Sequence, residues 1–429
     1  MKLRIHKLDQ LFIRLWILSL FLDAYAFTNI GTYYVTTFSL VSVLALLYGV
    51  CKLIEGKGRV NCSKSQRAAL IMFFYICFNY FITGAKNFTS PLKGCSFLIL
   101  YILTSRRETQ EQFEGHAKFF MYIMNGMALY GIYQFVGRLY SLPFSNLIVE
   151  GHMVPGYNWT NNMSMFGSHA FRSNAIFLEP SFFSQFLAIN ILLYCMLVVE
   201  KKYQKKDLMW LVINVLALLT TFSGTGLIIL FVGGGIYTIQ GKSKKQLKRI
   251  LLGVLVVGLT GIIWGPILLS TEWGLDIAKF FFRRLTELTG RQGKHVSGYI
   301  RFISGFKVIE GIWNQNIIGA LFGGGMGSAT RYNSLFQGTI DNSGYFKVAG
   351  ELGMIGLLIF GNFFRNVWKM DSKNNFRKVI ICAMIPMFAC HEAFLQNYDW
   401  IFILLLNDLT RDEEKKDNGQ WKPLQQLLF

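Results

Sequence analysis

Apolar residues gather along the chain in twelve runs with polar breaks: Leu11–Phe27, Val35–Leu53, Ala68–Thr83, Leu92–Ser105, Phe119–Gly137, Pro180–Val199, Leu208–Phe222, Gly226–Ile239, Ile250–Leu269, Ser343–Phe363, Val379–Ala393 and Trp400–Leu409. Most approach the roughly 17–25 residues with which a helix crosses a ~30 Å hydrocarbon core. The fourth, eighth and twelfth are shorter. The pattern predicts an all-α polytopic membrane protein of about 12 transmembrane helices. With no Pro-rich or Ser-rich linker, residues 1–429 read as one membrane domain.

Two breaks are long, residues 138–179 and 270–342. The first contains "VPGYNWTNNMSMFGSHAFRSN", rich in Asn and Gly and without apolar periodicity, the composition of an ordered interfacial loop. The second contains two amphipathic stretches. In "WGLDIAKFFFRRLTEL", Leu275, Phe281, Phe282, Leu285 and Leu288 share a face, with Lys279, Arg283 and Glu287 on another. In "YIRFISGFKVIEGIW" the apolar stripe is Ile300, Ile303, Phe306 and Ile309 or Trp313. Both read as helices lying on the outer leaflet or on the rim of a cavity, with ordinary packing on the bundle as the alternative for the first.

Composition agrees with the pattern: 52% of residues are hydrophobic and 16% charged, a membrane rather than a soluble balance. A net charge of +19 suggests nucleic acid in a soluble protein, but here the basic residues form short clusters between apolar runs, such as "KKYQKK" and "KSKKQLKR". That spacing is a topology signal and excludes nucleic acid as the expected partner. With the N-terminus inside, most Lys and Arg fall on the cytoplasmic side, the tail 410–429 is also cytoplasmic, and the two long loops are external. The start, "MKLRIHK" and an apolar run ending in "AYA", has the look of a signal peptide. Asp23 interrupts the run and further spans follow, so it reads as an uncleaved first helix. The seven cysteines read as small core residues rather than a disulfide framework.

Ionisable residues at membrane depth are costly and mark candidate sites. Arg172 and Glu179 stand where the first long loop becomes the sixth span, in "FRSNAIFLEPSFFSQ". Pro180 suits the first helical turn, and Ser181 and Ser184 are placed to serve its free N–H groups. Glu179 either caps that helix or serves chemistry. "TFSGTGL" brings Ser223 and Thr225 to the turn between spans seven and eight, as tight packing or as the lining of a polar cavity. "GRQGKHVSGYIRF" gathers Arg291, Lys294, His295 and Arg301, and the glycines Gly323 to Gly327 offer N–H groups to an anion without a nucleotide-binding signature. Asp341 and Asn342 mark the start of the tenth span, while His391 and Glu392 mark the outer end of the eleventh. No metal-ligand spacing recurs, so neither a metal site nor a cofactor is expected.

Arg172 with "FLEPSFFSQ", then "TFSGTGL", "SGYIRF", "LFGGGMGS" and "DNSGYFKVAGELGMIGLL", in that order, resemble the O-antigen polymerase and O-antigen ligase superfamily over roughly Phe171 to Phe360. The resemblance implies a GT-C-like membrane glycosyltransferase in the bacterial inner membrane, working at its outer face on an undecaprenyl-pyrophosphate-linked oligosaccharide. Flippase and chain-length regulator proteins are the implied partners. It maps diphosphate-binding arginines onto Arg172, Arg301 and Arg291. Ligases usually carry His-Asn before the tenth span where this chain has Asp341-Asn342. The departure favours a repeat-unit polymerase making capsule, exopolysaccharide or O-antigen. Asp341 and Glu179 are then the candidate bases, with Asn342, Ser223 and His391 in support. A ligase, or a transporter or flippase of twelve spans, remains the alternative.

Overall fold

The structure is a computed structural model that describes residues 2–30, 33–54, 63–84, 88–104, 106–107, 110–154, 157, 162–165, 168–240, 299, 303–314, 316–328, 344–368, 374–390, 396–406 and 408–409. Its helices are α1 (Lys2–Phe21), α2 (Thr37–Ile54), α3 (Lys64–Thr83), α4 (Thr89–Leu103), α5 (Gln110–Leu139), α6 (Pro180–Val199), α7 (Lys205–Thr220), α8 (Gly224–Ile239), α9 (Ser304–Trp313), α10 (Ile317–Phe322), α11 (Gly344–Val367), α12 (Asn375–Cys390) and α13 (Asn397–Leu405). A π-helical turn, Ile229–Gly233, interrupts α8. Helices overlap eleven of the twelve expected segments, the first only as far as Phe21, and the ninth, Ile250–Leu269, lies outside the described residues.

Four helices, α2, α3, α6 and α11, are long and apolar enough to cross a membrane, and α4 and α8 are shorter apolar helices. In its most apolar window α6 is 78% buried and α2 only 28%. Thus α6 is the axis of the bundle, while α2 turns Val43, Leu44 and Leu47 outward. Apolar side chains on the outside of a helical protein suit a bilayer.

The short strands β1 (Ala26–Ile30) and β2 (Tyr33–Thr36) pair antiparallel between α1 and α2, and polar ties join the helix ends in two sets. At one end Asp9 of α1 pairs with Lys52 of α2 at 3.0 Å, Asn375 of α12 bonds Glu200 after α6, and β3 (Arg106–Arg107) runs parallel to β6 (Asp408–Leu409). At the other, Asn397 of α13 donates to Asp23 after α1 at 2.8 Å, and Tyr25 bridges Met153 after α5. Between them, Asn125, Asn190 and Asn214 bond one another across α5, α6 and α7, and Asn125 donates to Tyr194 at 2.7 Å. Such interhelical amide bonds hold apolar helices in register where the hydrophobic effect cannot choose among partners.

The helix α11 is broken at Gly353, whose φ of 68° and ψ of −169° belong to glycine. The glycine cluster explains the break. Gly324 N–H donates to Gly350 O and Gly325 N–H to Glu351 O, both at 2.9 Å, while Tyr75 of α3 donates to Leu352 O and Asn79 to Phe322 O, each at 2.5 Å. The N–H groups of Gly324 and Gly325 are therefore spent on α11 and that of Gly323 on Gly319 O, and these glycines serve close backbone packing.

The second amphipathic stretch forms α9, but the face against α11 is Gly305, Val308 and Ile312. Phe306, on the apolar stripe, is 61% exposed. At Gly305 a Cβ would come within 2.6 Å of the Phe346 ring, so the bare backbone admits that ring. The first amphipathic stretch lies outside the described residues.

Candidate functional site

The site lies where α6 and α8 begin and α7 ends. The first loop reaches it through a hairpin not foreseen in the sequence, β4 (Asn162–Met165) against β5 (Ser168–Phe171), with Asn162 opposite Phe171. Arg172 follows β5 directly, and its Nε donates to Thr221 O at 3.0 Å, pinning the strand exit to the end of α7. Ser173 N–H donates to Thr220 O at 3.0 Å, doubling the tie.

Gln134 of α5, fully buried, fixes the next two residues. Its Oε1 accepts from Asn174 N–H at 2.9 Å and Ala175 N–H at 2.8 Å, and its Nε2 donates to Asn174 Oδ1 and Ala175 O, both at 3.1 Å. Ala175 has a positive φ of 49°, a strained position that persists because these bonds over-determine it. Gln134→Leu orphans two buried N–H groups at ~1–3 kcal/mol each. A clear drop in melting temperature is expected, with a still larger loss of any activity that depends on Arg172. An unchanged melting curve would show that the clamp is redundant.

Glu179 takes the N-cap position of α6 with extended backbone, and its carbonyl accepts from Phe182 N–H and Phe183 N–H. Pro180 is the first helical residue, as the sequence implies. The Glu179 side chain, however, makes no capping bond to the helix N–H groups; it accepts from Ser181 Oγ at 2.8 Å. The capping alternative thus fails for the carboxylate, which sits at the positive end of the α6 dipole and is steered by a serine. Ser184 likewise does not serve free N–H groups, since its Oγ donates to Ser181 O at 2.7 Å.

Ser223 is the N-cap of α8 and is buried, its Oγ 2.8 Å from Thr225 Oγ1. Thr225 in turn donates to Ser181 O at 3.2 Å and lies 3.1 Å from Ser184 Oγ. A Cβ on Gly226 would come within 2.6 Å of Ser184 O. The "TFSGTGL" turn is therefore a hydrogen-bonded splice between α6 and α8. It locks the serine that steers Glu179.

The structure thus brings Arg172, Glu179 and Ser223 to one junction. Arg291, Arg301, Asp341, Asn342 and His391 lie outside the described residues. Among the described residues no cluster of three His, Cys, Asp or Glu side chains forms. Two further groups stand at this end of the bundle. Asp399, in the first turn of α13, is fully buried, and that turn meets α6 through Phe182 and Tyr398, whose ring centroids are 4.7 Å apart. Arg138, in the last turn of α5, lies over the Phe171 ring at 5.7 Å. A basic residue closing a helix reads in sequence as an ordinary dipole partner, which is why Arg138 gave no signal.

Chemically the junction offers a guanidinium fixed to the backbone and a carboxylate at a helix start. These are the two groups that stabilise a departing phosphate and accept a hydroxyl proton. No protein-family model matches the chain, and no curated protein sequence matches it. The functional reading rests on the residues themselves.

Proposed function

We propose that the protein is a membrane glycosyltransferase that polymerises undecaprenyl-pyrophosphate-linked oligosaccharide repeat units on the outer face of the bacterial inner membrane. In this reading twelve spans put both termini in the cytoplasm and the Arg172–Glu179 junction outside. The observation that carries it is the Glu179 carboxylate, held by Ser181 rather than spent on capping, at the same junction as an arginine anchored through Nε. The arginines, Arg172 with Arg301 and Arg291, stabilise charge on the leaving diphosphate. A carboxylate, Asp341 or Glu179, takes the proton of the acceptor hydroxyl. That hydroxyl oxygen bonds to the anomeric carbon as the carbon–oxygen bond to the diphosphate breaks, with inversion, and the diphosphate leaves without protonation.

Purified protein in lipid nanodiscs, given lipid-diphosphate-linked repeat units, is expected to produce a ladder of polymer. Asp341→Asn and Glu179→Gln separate the two candidate bases, and the true base loses about 10²–10⁴ in rate with folding intact. Wild-type turnover from both variants would remove carboxylate base catalysis from the proposal.

One observation favours a second reading. The break at Gly353 in a membrane-length helix, with Lys347 and Glu351 buried just before it, is a feature that transporters share. Movement of labelled lipid-linked glycan across proteoliposomes, with no new glycosidic bond, would select that reading.

A further inference from the structure

The guanidinium of Arg138 is held on one edge and idle on the other. Nε donates to Asn146 Oδ1 at 2.6 Å and Nη2 donates to the same oxygen, while one face lies over the Phe171 ring. Nη1 is buried and has no hydrogen-bond partner. Beside it the Tyr157 hydroxyl is buried near Asn174 and makes no hydrogen bond of normal geometry. Burial pushes that hydroxyl above its ordinary range, so it stays a donor. Among the described residues Arg138 has no carboxylate partner; the groups that face it are Tyr130 and Tyr157.

Arg138 Nη1 and the Tyr157 hydroxyl, both shielded from water and without an acceptor at normal geometry, form an unsatisfied arrangement that native proteins rarely keep, since each idle donor costs its desolvation. A shielded charge without a counter-ion costs more. Two donors and one positive charge need an acceptor that is negative and carries more than one oxygen. A phosphate group meets all three demands, and the planar fork of arginine suits it. The place fits as well. Arg138 rests on the residue before Arg172, and Asn174, beside Tyr157, is two residues after it.

We infer that Arg138 and Tyr157 form a phosphate-oxyanion site next to Arg172, a second binding arginine for the diphosphate of the substrate. This rests on the proposed glycosyltransferase reading for the source of the phosphate but not for the site itself. The same chemistry is carried by the headgroup of an anionic phospholipid.

The test measures binding to intact purified protein with two probes: inorganic pyrophosphate, followed by thermal shift, and phosphatidylglycerol supplied in nanodiscs. Arg138→Lys keeps the charge and loses the fork, and is expected to weaken pyrophosphate binding at least tenfold. Should that variant fold poorly, Tyr157→Phe removes one donor and is expected to weaken binding severalfold with the melting temperature of the unliganded protein unchanged. Loss of phosphatidylglycerol binding alone in these variants would uphold the oxyanion site and assign it to a headgroup. Wild-type affinity for both probes in both variants overturns the site. Pyrophosphate binding that is lost in Arg172→Lys but intact in Arg138→Lys and Tyr157→Phe also overturns it, while leaving the proposed function standing. A wild-type protein that binds pyrophosphate through Arg138 yet makes no polymer sinks the glycosyltransferase reading alone.

Discussion

Under the proposed function, Arg172→Lys is expected to lower polymer formation by at least about 100-fold while the protein still folds. Lysine keeps the charge, so a purely electrostatic role would survive the change. Two features say otherwise. Nε of Arg172 is committed to Thr221 O at 3.0 Å, which fixes the guanidinium plane relative to the ends of α7 and β5. Lysine has no second nitrogen with which to keep that anchor while reaching a phosphate. The stem that holds Arg172 also survives without it, since Ser173 N–H bonds Thr220 O and Gln134 clamps Asn174 and Ala175. The loss should therefore appear in turnover and not in melting temperature. Normal polymer yield from a well-folded Lys variant would take Arg172 out of the site.

Most of the helical frame was legible in the sequence because each segment carries its own evidence. The run from Pro180 to Val199 needs no partner to be recognised as a helix, and its limits in the structure are the same. Boundaries shifted where polar residues continue a helix beyond its apolar part, as in α5, which spans Gln110 to Leu139 although only Phe119–Gly137 reads as apolar. Periodicity gives the apolar stripe of α9 but does not say which face meets α11. The choice was made by Gly305, whose effect depends on Phe346, forty-one residues away in the chain.

The site was half legible for a related reason. An arginine and a glutamate interrupting an apolar run stand out, because charge at membrane depth is costly wherever its partner lies. Gln134, the residue that holds their loop, does not stand out, since one amide within a long helix is ordinary until Asn174 and Ala175 are seen to bond it. Ser181 was given the wrong role. Sequence position placed its hydroxyl to accept from the first free N–H groups of α6, whereas it donates its proton to the carboxylate two residues back, a strong acceptor.

The largest effect on folding is expected at Gly353. A methyl group there would collide with the carbonyl oxygen of Leu321 and lie 2.5 Å from the nitrogen of Gly323, and both are backbone atoms that cannot swing aside. The φ of 68° with ψ near −169° adds strain of its own, since only glycine occupies that region freely. Together these put the cost of Gly353→Ala at roughly 3–5 kcal/mol, a large fraction of the about 5–15 kcal/mol that holds an ordinary domain folded. The collision is mutual: a Cβ on Gly323 would lie 2.5 Å from the carbonyl carbon of Glu351. If the two chains are forced apart, Gly324 and Gly325 lose their acceptors on α11, and the carbonyls of Leu352 and Phe322 draw away from Tyr75 and Asn79. In a bilayer no water replaces those bonds. Gly353→Ala should therefore reduce the yield of folded, monodisperse protein and lower its melting temperature sharply. Gly361→Ala, at a position in the same helix with open space around it, should leave both unchanged. A Gly353→Ala protein as stable as the wild type would mean that α11 runs straight there and that the glycine cluster packs elsewhere.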